Sequence, residues 1–292
     1  MPRFAFDAIG TRWEIDTREA MDAALCRRIL ACVEVFDAVY SRFRTDSLVA
    51  RIASAREGGR FTFPAEAAAL FDLYDALHER THGAIDPLVG RSLELLGYDR
   101  TYSLEPDTAG LARHSQDLPR WARDVQRNGA VISTKSPLVI DVGAAGKGFL
   151  VDIVAELLLA EGLEAFLADG SGDLRHFGAE DVRIGLEHPL DPHLAIGIAH
   201  LRGNALCASA VNRRAWGDGM HHILDARDGT PVRDVVATWL VAEKAAIADG
   251  LSTALFLASP DSLGMAFDFS YVRMFADGRA EISPDFPGEL FT

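Results

Sequence analysis

The segment Val139–Phe149 combines the residue types best suited to binding a charged ligand. An apolar run ends at Asp141, and a glycine-rich stretch around Lys147 follows. Its glycines are Gly143, Gly146 and Gly148. Glycine lets a backbone approach a ligand closely and adopt conformations closed to other residues. A helical pattern follows from Leu150, and the free N–H groups that open a helix attract anions such as phosphate. The segment is therefore a candidate phosphate-binding loop, although a tight turn between a strand and a helix has the same composition.

Two familiar nucleotide motifs do not fit this loop. A Walker A loop needs a glycine where Asp141 stands and a serine or threonine where Gly148 stands. The spacing Gly-x-x-Gly-x-Gly also differs from the dinucleotide fingerprint Gly-x-Gly-x-x-Gly. The pattern indicates an anion site of another type.

A predicted helix over residues 244–258 carries Asp249 and Thr253, whose spacing places them on one helix face. Oxygen donors without a cluster of sulfur or imidazole ligands suit a hard cation such as Mg²⁺, which often works through phosphates. An ordinary helix surface carries the same pair, so the pattern alone leaves both interpretations open.

A second metal pattern is His78–His82, which reads His-Glu-Arg-Thr-His and matches the zinc motif His-Glu-x-x-His. Gly83 follows at once, so we expect the helix to end at the second histidine. Ile85 stands where the extended motif has glycine. We favour two surface histidines in a last helical turn, where the helix dipole stabilises them. A zinc hydrolase stays a remote alternative.

The composition is that of a water-soluble chain: 292 residues with a net charge of −14 and no basic tract to offset it. This charge argues against a nucleic-acid partner, and a phosphate-rich ligand would need a metal or a few placed cations. Cys26, Cys32 and Cys207 include no Cys-x-x-Cys pair, which favours free thiols in a reducing compartment. No signal-peptide run or membrane-spanning run occurs, so we expect a cytoplasmic protein without a membrane span.

The elements that must position these residues alternate irregularly between strands and helices. Helices are predicted over residues 17–41, 48–53, 65–80, from 150, and 244–258. Strands are predicted within 4–16, 121–134, 165–168, 182–189, 195–200, 205–214, 220–231 and 235–243. Residues 99–120 read as a long loop with one short helix, and Asp169–Asp173 as a second glycine-rich turn. Meandering strands with separate helices favour an α+β fold over a doubly wound parallel sheet.

Six segments, taken in order, resemble the ApbE family of flavin transferases, which move FMN from FAD onto a threonine of a target protein. They are Ile9–Trp13, Phe43–Leu48, Gly83–Pro87, Asp141–Phe149, His222–Gly229 and Ala248–Leu255. The most specific is Asp141–Phe149, which is similar to the family's Asp-Leu-Gly-Ala-Ile-Ala-Lys-Gly-Tyr. The resemblance runs nearly end to end, and it implies one domain over residues 1–292 with largely antiparallel mixed sheets, packed helices and two intertwined subdomains.

The resemblance also implies roles for individual residues. Mg²⁺ would be held by Ala144 (through its carbonyl), Asp249, Ser252 and Thr253. FAD, the substrate, would contact Ile9, Asp46, Ala84, Ile85, Asp86, Asp141, Lys147 and Ile223. The catalytic residues would be Asp249, through the metal, and His222, as general base for the threonine of an acceptor flavoprotein. An imidazole near its reference pKa can accept that proton at neutral pH, and AMP would leave.

Several residues depart from the family pattern. Ser171 lies in a turn where the family has a glycine pair, and Ala210 replaces a glycine. Ala226 and Asp228 replace proline and threonine, and Ile9 replaces methionine. A protein that binds FAD without transferring FMN, or that only hydrolyses FAD, is therefore the alternative from a different functional class.

Overall fold

The structure is a computed structural model that describes residues 2–291. The strands are β1 (Arg3–Ala8), β2 (Thr11–Thr17), β3 (Gly59–Thr62), β4 (Val125–Asn128), β5 (Val131–Thr134), β6 (Phe166–Asp169), β7 (Asp173–Phe177), β8 (Val182–His188), β9 (Asp191–Leu201), β10 (Ala205–Ala210), β11 (Ala215–Trp216), β12 (Met220–His221), β13 (Leu224–Asp225), β14 (Thr230–Pro231), β15 (Val235–Ala242), β16 (Ser270–Phe275), β17 (Ala280–Ile282) and β18 (Gly288–Leu290). The helices are α1 (Ala23–Tyr40), α2 (Leu48–Ser54), α3 (Ala67–Arg80), α4 (Gly90–Leu95), α5 (Thr108–His114), α6 (Trp121–Asp124), α7 (Gly146–Ala160), α8 (Ala245–Ala254) and α9 (Pro260–Gly264). Single 3₁₀ turns cover Pro87–Val89 and Val211–Arg214.

An eight-stranded antiparallel sheet forms the centre, in the order β1-β2-β6-β7-β10-β15-β16-β17. The N-terminal hairpin lies at one edge and strands from the last part of the chain lie at the other. Smaller sheets join β18-β9-β8 and β3-β5-β4. The strands of these smaller sheets also pair antiparallel, and helices pack against the central sheet. This confirms the predicted α+β class with antiparallel sheets.

The two faces of the central sheet belong to different cores. Successive strand residues point to opposite faces, so Cys207 and Leu240 pack in the core that contains α1, α3, α7 and α8. Their neighbours Leu206 and Trp239 pack instead against residues of β8 and β9. This arrangement places α8 directly on β10 and β15, with α7 against α8. None of the helices within residues 2–291 is long and apolar enough to cross a bilayer.

Several predicted boundaries differ from the structure. Helix α1 begins at Ala23 rather than residue 17, because β2 continues to Thr17 and the Asp22 side chain accepts a hydrogen bond from Leu25 N at 2.7 Å. Such a cap fixes a helix start more sharply than apolar spacing does. Strand β3 is mostly exposed and therefore lacks the apolar alternation that would have predicted it.

Two helices next to the glycine-rich loop also differ from prediction. Helix α7 begins at Gly146 rather than Leu150, so two of the predicted loop glycines are helical. Helix α8 ends at Ala254 rather than Ala258.

The residues 121–124 form one helical turn before the predicted strands β4 and β5. The short helix expected within residues 99–120 is confirmed as α5, and the predicted pairing of residues 182–189 with 195–200 is confirmed as β8 and β9.

Candidate functional site

A cavity of about 1020 Å³ opens at the start of α7, beside α8. This volume lies at the upper end of the range for small-molecule sites, which fits a large nucleotide. Each of the six segments quoted above contributes to its wall. The contributing residues are Ile9, Gly10, Thr11, Phe43, Arg44, Ala84, Ile85, Asp86, Asp141, Val142, Gly143, Ala144, Gly146, Lys147, His222, Ile223, Leu224, Asp249 and Thr253. Folding therefore brings together segments that lie as far apart in sequence as Ile9 and Thr253.

Close packing around the start of α7 explains two glycines of the loop. A Cβ atom on Gly148 would lie 2.2 Å from the carbonyl oxygen of Ala245 and 2.7 Å from Cβ of Asp249. A Cβ on Gly146 would lie 2.8 Å from Cγ2 of Val142. Neither these two glycines nor Gly143 has a positive φ. The prediction that they supply unusual backbone conformations is therefore wrong; Gly146 and Gly148 permit close packing instead.

Asp249 is held by this packing. One carboxylate oxygen, Oδ2, accepts a hydrogen bond from Gly148 N at 2.9 Å. Its other oxygen has no hydrogen bond from any residue in the range 2–291. The side chain is buried yet lines the cavity. Burial, with the nearby carboxylate of Asp173, raises the pKa of Asp249 well above its usual range, and Lys147 opposes this. Such a site favours a bound cation.

Oxygen donors adjoin Asp249 at this end of the cavity. Thr253 Oγ1 lies 3.4 Å from the carbonyl oxygen of Ala144, and both residues line the cavity with Asp249. A hydroxyl, a carbonyl and a carboxylate form a donor set suited to Mg²⁺. Residues 2–291 contain no group of three or more His, Cys, Asp or Glu side chains placed to share a metal. The residues present therefore fit Mg²⁺ only in combination with backbone, ligand or water oxygens.

Ser252 has a different position from the one implied by the resemblance. It is fully buried and does not line the cavity. Its hydroxyl donates to Asp249 O at 2.8 Å and lies 2.7 Å from Ser209 Oγ. The structure therefore assigns its side chain to fixing α8 against β10, because both hydroxyl contacts are already made within the protein.

Asp141 forms a buried ion pair that the sequence did not reveal. Its Oδ2 accepts from Arg42 Nε at 2.5 Å, and its Oδ1 accepts from Gly143 N at 2.6 Å. Arg42 is 5% exposed and also donates to Tyr98 O at 2.8 Å. Burial opposes ionisation of Asp141, but Arg42 and the Gly143 N–H outweigh it and lower the pKa of the carboxyl. Asp141 is thus an ionised anchor of the loop as well as part of the cavity wall.

Lys147 has a partner that sequence analysis also missed. Its Nζ lies 2.9 Å from Asp173 Oδ2 and donates to Ser171 O at 3.2 Å. The carboxylate oxygens of Asp173 make no well-aligned hydrogen bond within residues 2–291, so the contact with Lys147 is an ion pair. Burial lowers the pKa of Lys147, but Asp173 and Asp249 together outweigh it and the net shift is upward. The ammonium is therefore charged where it borders the cavity.

His222 lies in the cavity wall next to the Val211–Arg214 turn. Its backbone N–H donates to Arg214 O at 3.2 Å, while the ring Nδ1 is buried without a hydrogen-bond partner among residues 2–291. Burial, followed by the Arg214 charge, lowers the pKa of His222 to about 3. The expectation of an imidazole near its reference pKa is therefore wrong for this structure. The ring is neutral at neutral pH.

The structure separates the remaining predicted FAD contacts into two groups. Ile9, Ala84, Ile85 and Ile223 line the cavity, and Ile9 has a φ of 44° in the two-residue β1–β2 turn. Asp46 does not line it; its side chain is 69% exposed and pairs with Arg44 at 2.9 Å.

Asp86 borders the cavity, but protein groups occupy its carboxylate. Its two oxygens accept hydrogen bonds from Leu88 N at 2.8 Å and Trp121 N at 2.9 Å. Its Oδ2 also lies 3.3 Å from His78 Nδ1. Asp86 therefore orders its loop rather than offering free oxygens. The zinc pattern is not formed either, because α3 ends at Arg80 and His82 is exposed with a φ of 52°.

Four aromatic rings in the cavity wall were not predicted. Phe43 and Tyr102 stack with centroids 5.2 Å apart, and Tyr98 stacks with Trp216 at 5.6 Å. All of them line the cavity. Flat aromatic faces of this kind bind planar rings. Tyr102 falls in a polar segment without periodicity, so only the fold shows that it belongs to the site.

Comparisons with known proteins identify the family of this chain. The model of the ApbE family matches residues 9–269. A curated relative, the FAD:protein FMN transferase of Klebsiella pneumoniae, is 24% identical over 270 residues, which cover 87% of this chain and 77% of that protein. The ApbE protein of Thermotoga maritima is a structural neighbour with a TM-score of 0.85 at 25% identity, covering 99% of each chain. The flavin transferase ApbE from Vibrio cholerae has a TM-score of 0.83 at 22% identity, covering 98% of this chain and 97% of that one. The match over nearly the whole chain shows that this protein belongs to the ApbE family.

Proposed function

We propose that this protein is a Mg²⁺-dependent FAD:protein FMN transferase, which moves FMN from FAD to a threonine hydroxyl of an acceptor protein and releases AMP. The observation that carries the proposal is the convergence of Asp249, Thr253, the Ala144 carbonyl, Lys147 and His222 on one large cavity. The curated relative from Klebsiella pneumoniae is named for the same activity.

The cavity offers cations for a nucleotide polyanion despite the chain's net charge of −14. Three basic side chains, Lys147, Arg213 and Arg214, line it. The pyrophosphate of FAD would lie toward Asp249 and Thr253, the residues that would hold Mg²⁺ with the Ala144 carbonyl. When bound, Mg²⁺ neutralises pyrophosphate charge and stabilises the departing phosphate.

The reaction needs one proton acceptor. The threonine oxygen attacks the phosphorus of the FMN half, and the bond between that phosphorus and the bridging oxygen of AMP breaks. The hydroxyl proton passes to a ring nitrogen of His222, which is neutral and therefore able to accept it. A nearby pyrophosphate raises the pKa of an imidazole, so substrate binding would strengthen His222 as a base. Lys147 and Asp141 would orient the nucleotide and the loop.

Incubation with FAD, Mg²⁺ and candidate acceptor domains tests the proposal, with covalent flavin on the acceptor as the readout. We expect Asp249→Ala to abolish labelling and His222→Ala to reduce it strongly. Asp277→Ala is the matched control, because this exposed aspartate pairs with Arg279 and does not line the cavity.

The alternative activity gives a different product pattern. If AMP and free FMN accumulate while no acceptor is labelled, the protein is an FAD pyrophosphatase, with water in place of threonine. If FAD stays intact in the bound state, the protein only holds it. Either result rules out the transferase.

A further inference from the structure

A second cleft of about 470 Å³ lies beside the cavity, between the central sheet and the small sheet of β8 and β9. The apolar part of its floor is formed by the partly exposed Leu167 and Ile184, above the buried core residues Leu174, Leu206 and Trp239. Its rim carries charges of both signs, among them Arg3, Glu14, Asp16, Arg183 and Glu187. An apolar floor with a mixed polar rim is the composition of a protein-binding surface. A second nucleotide site would instead concentrate cations.

The cleft and the cavity meet along one shared wall. The residues that line both are Ser171, Gly172, Ala208, Ser209, Ala210 and Arg213. Five of these six residues are glycine, alanine or serine, so few large side chains stand between the cleft and the cavity. Ser171 and Ala210 are also the positions noted above as departures from the family pattern. A ligand in the cleft would therefore lie immediately beside one in the cavity.

Strand β10 has an open edge at this wall. Its pairing with β7 covers only Ala205–Cys207. One further hydrogen bond, from Ala208 N to Gly172 O at 3.1 Å, joins β10 to the turn that precedes β7. Ser209 and Ala210 pair with β15 on one side, and no strand within residues 2–291 pairs with them on the other side. Such an edge can bind an extended peptide through main-chain hydrogen bonds, with side chains in neighbouring pockets.

The open edge continues directly toward the proposed base. Ala210 is followed by the Val211–Arg214 turn, and Arg214 O accepts the backbone N–H of His222. Arg213, in the same turn, pairs with Glu187 at 2.9 Å across the cleft rim. One continuous segment of wall thus joins the cleft to His222.

We propose that the acceptor protein binds as an extended segment in this cleft, along Ser209 and Ala210, and passes its threonine hydroxyl over the shared wall into the nucleotide cavity. This inference rests on the proposed transferase function. It also assigns Ser171 and Ala210 a role in choosing the acceptor sequence, since both border the path of the peptide.

Variants of the cleft floor test the proposal without touching the nucleotide cavity. Leu167 and Ile184 line the cleft only, and both are partly exposed. The probe is a library of short synthetic peptides, each with one central threonine, assayed with FAD and Mg²⁺ for covalent FMN by mass spectrometry. For a labelled peptide, we expect Leu167→Glu and Ile184→Glu to raise KM about tenfold, the equivalent of about 1.4 kcal/mol. Their FAD affinity, followed by flavin fluorescence, should stay within about twofold of wild type.

The matched control is Leu194→Glu, because Leu194 lies on the same small sheet, is 57% exposed and lines neither site. Normal FAD affinity in a Glu variant shows that it is folded. An unchanged KM in both Glu variants overturns the docking proposal and leaves the transferase function standing. If wild-type protein cleaves or holds FAD and labels no peptide in the library and no acceptor domain, both proposals fail together.

Discussion

The backbone N–H of Gly148 donates to Asp249 Oδ2 over 2.9 Å, and this contact joins the start of α7 to the middle of α8. A Cβ at Gly148 would lie within 2.2 Å of the Ala245 carbonyl oxygen, so the contact requires glycine. The glycine-rich loop and the candidate metal ligand are therefore parts of one packing arrangement.

Gly148→Ala should separate the two helices. Relieving the overlap with Ala245 requires a backbone shift, and overpacking of this kind costs roughly 1–3 kcal/mol. We expect a loss of that size in the free energy of unfolding in urea, together with a strong loss of FMN transfer. Gly264→Ala is the control, since a Cβ there has no atom within 4 Å and the site lies on the surface. Equal stability of both variants would contradict the packing argument.

Arg42→Met should leave Asp141 as an unpaired buried charge. Breaking one partner of such a pair costs about 3–5 kcal/mol, whereas removing both costs much less. We therefore expect the double variant Arg42→Met with Asp141→Asn to be more stable than Arg42→Met alone, in a double-mutant cycle followed by urea unfolding.

An exposed ion pair provides the comparison for this cycle. Arg279 and Asp277 lie 2.8 Å apart but are 72% and 56% exposed, so their coupling should stay below about 1 kcal/mol. A coupling between Arg42 and Asp141 as small as that would show that the buried pair contributes little.

His222 should make the protein sensitive to acid. Its pKa in the folded state is about 3, compared with 6.5 for an unperturbed histidine, so the unfolded chain takes up a proton first as pH falls. The stability that comes from keeping the ring neutral is fully present above the pKa of the unfolded chain, 6.5, and is lost as pH falls from 6.5 toward 3. At about pH 5 the loss amounts to about 2 kcal/mol.

Comparison of wild type with His222→Gln isolates this effect, because the other titrating groups are common to both proteins. The difference between their free energies of unfolding should change by about 2 kcal/mol between roughly pH 7.5 and 5, in the direction that disfavours wild type in acid. A difference that does not vary with pH would mean that His222 titrates normally.

Two substitutions of Thr253 test the proposed metal site, because they change the shape of the side chain little. Thr253→Val removes the hydroxyl that lies 3.4 Å from Ala144 O, while Thr253→Ser retains a hydroxyl. If that oxygen helps to hold Mg²⁺, the Thr253→Val variant should need about tenfold more Mg²⁺ for half-maximal transfer. The Thr253→Ser variant should keep most of the affinity for Mg²⁺. Both variants should unfold at similar urea concentrations. A Val variant with normal Mg²⁺ dependence would remove Thr253 from the metal site.

The sequence by itself determined the elements and the order of the site segments. Hydrophobic spacing located most helices and strands, because the pattern is local and repeats along the chain. The order of the six segments predicted the family and identified Lys147, Asp249 and Thr253 as candidate site residues. All three line the cavity.

Only the tertiary structure decided which partners these residues have. Arg42 and Asp141 are far apart in sequence, and so are Lys147 and Asp173; neither pairing leaves a local pattern. The motifs placed Asp46 and Ser252 in the site, but neither residue lines the cavity in the folded structure. The pKa of His222 likewise depends on burial and on Arg214. Composition and spacing specify what each segment becomes, whereas charge pairing, burial and side-chain direction arise only when distant segments pack together.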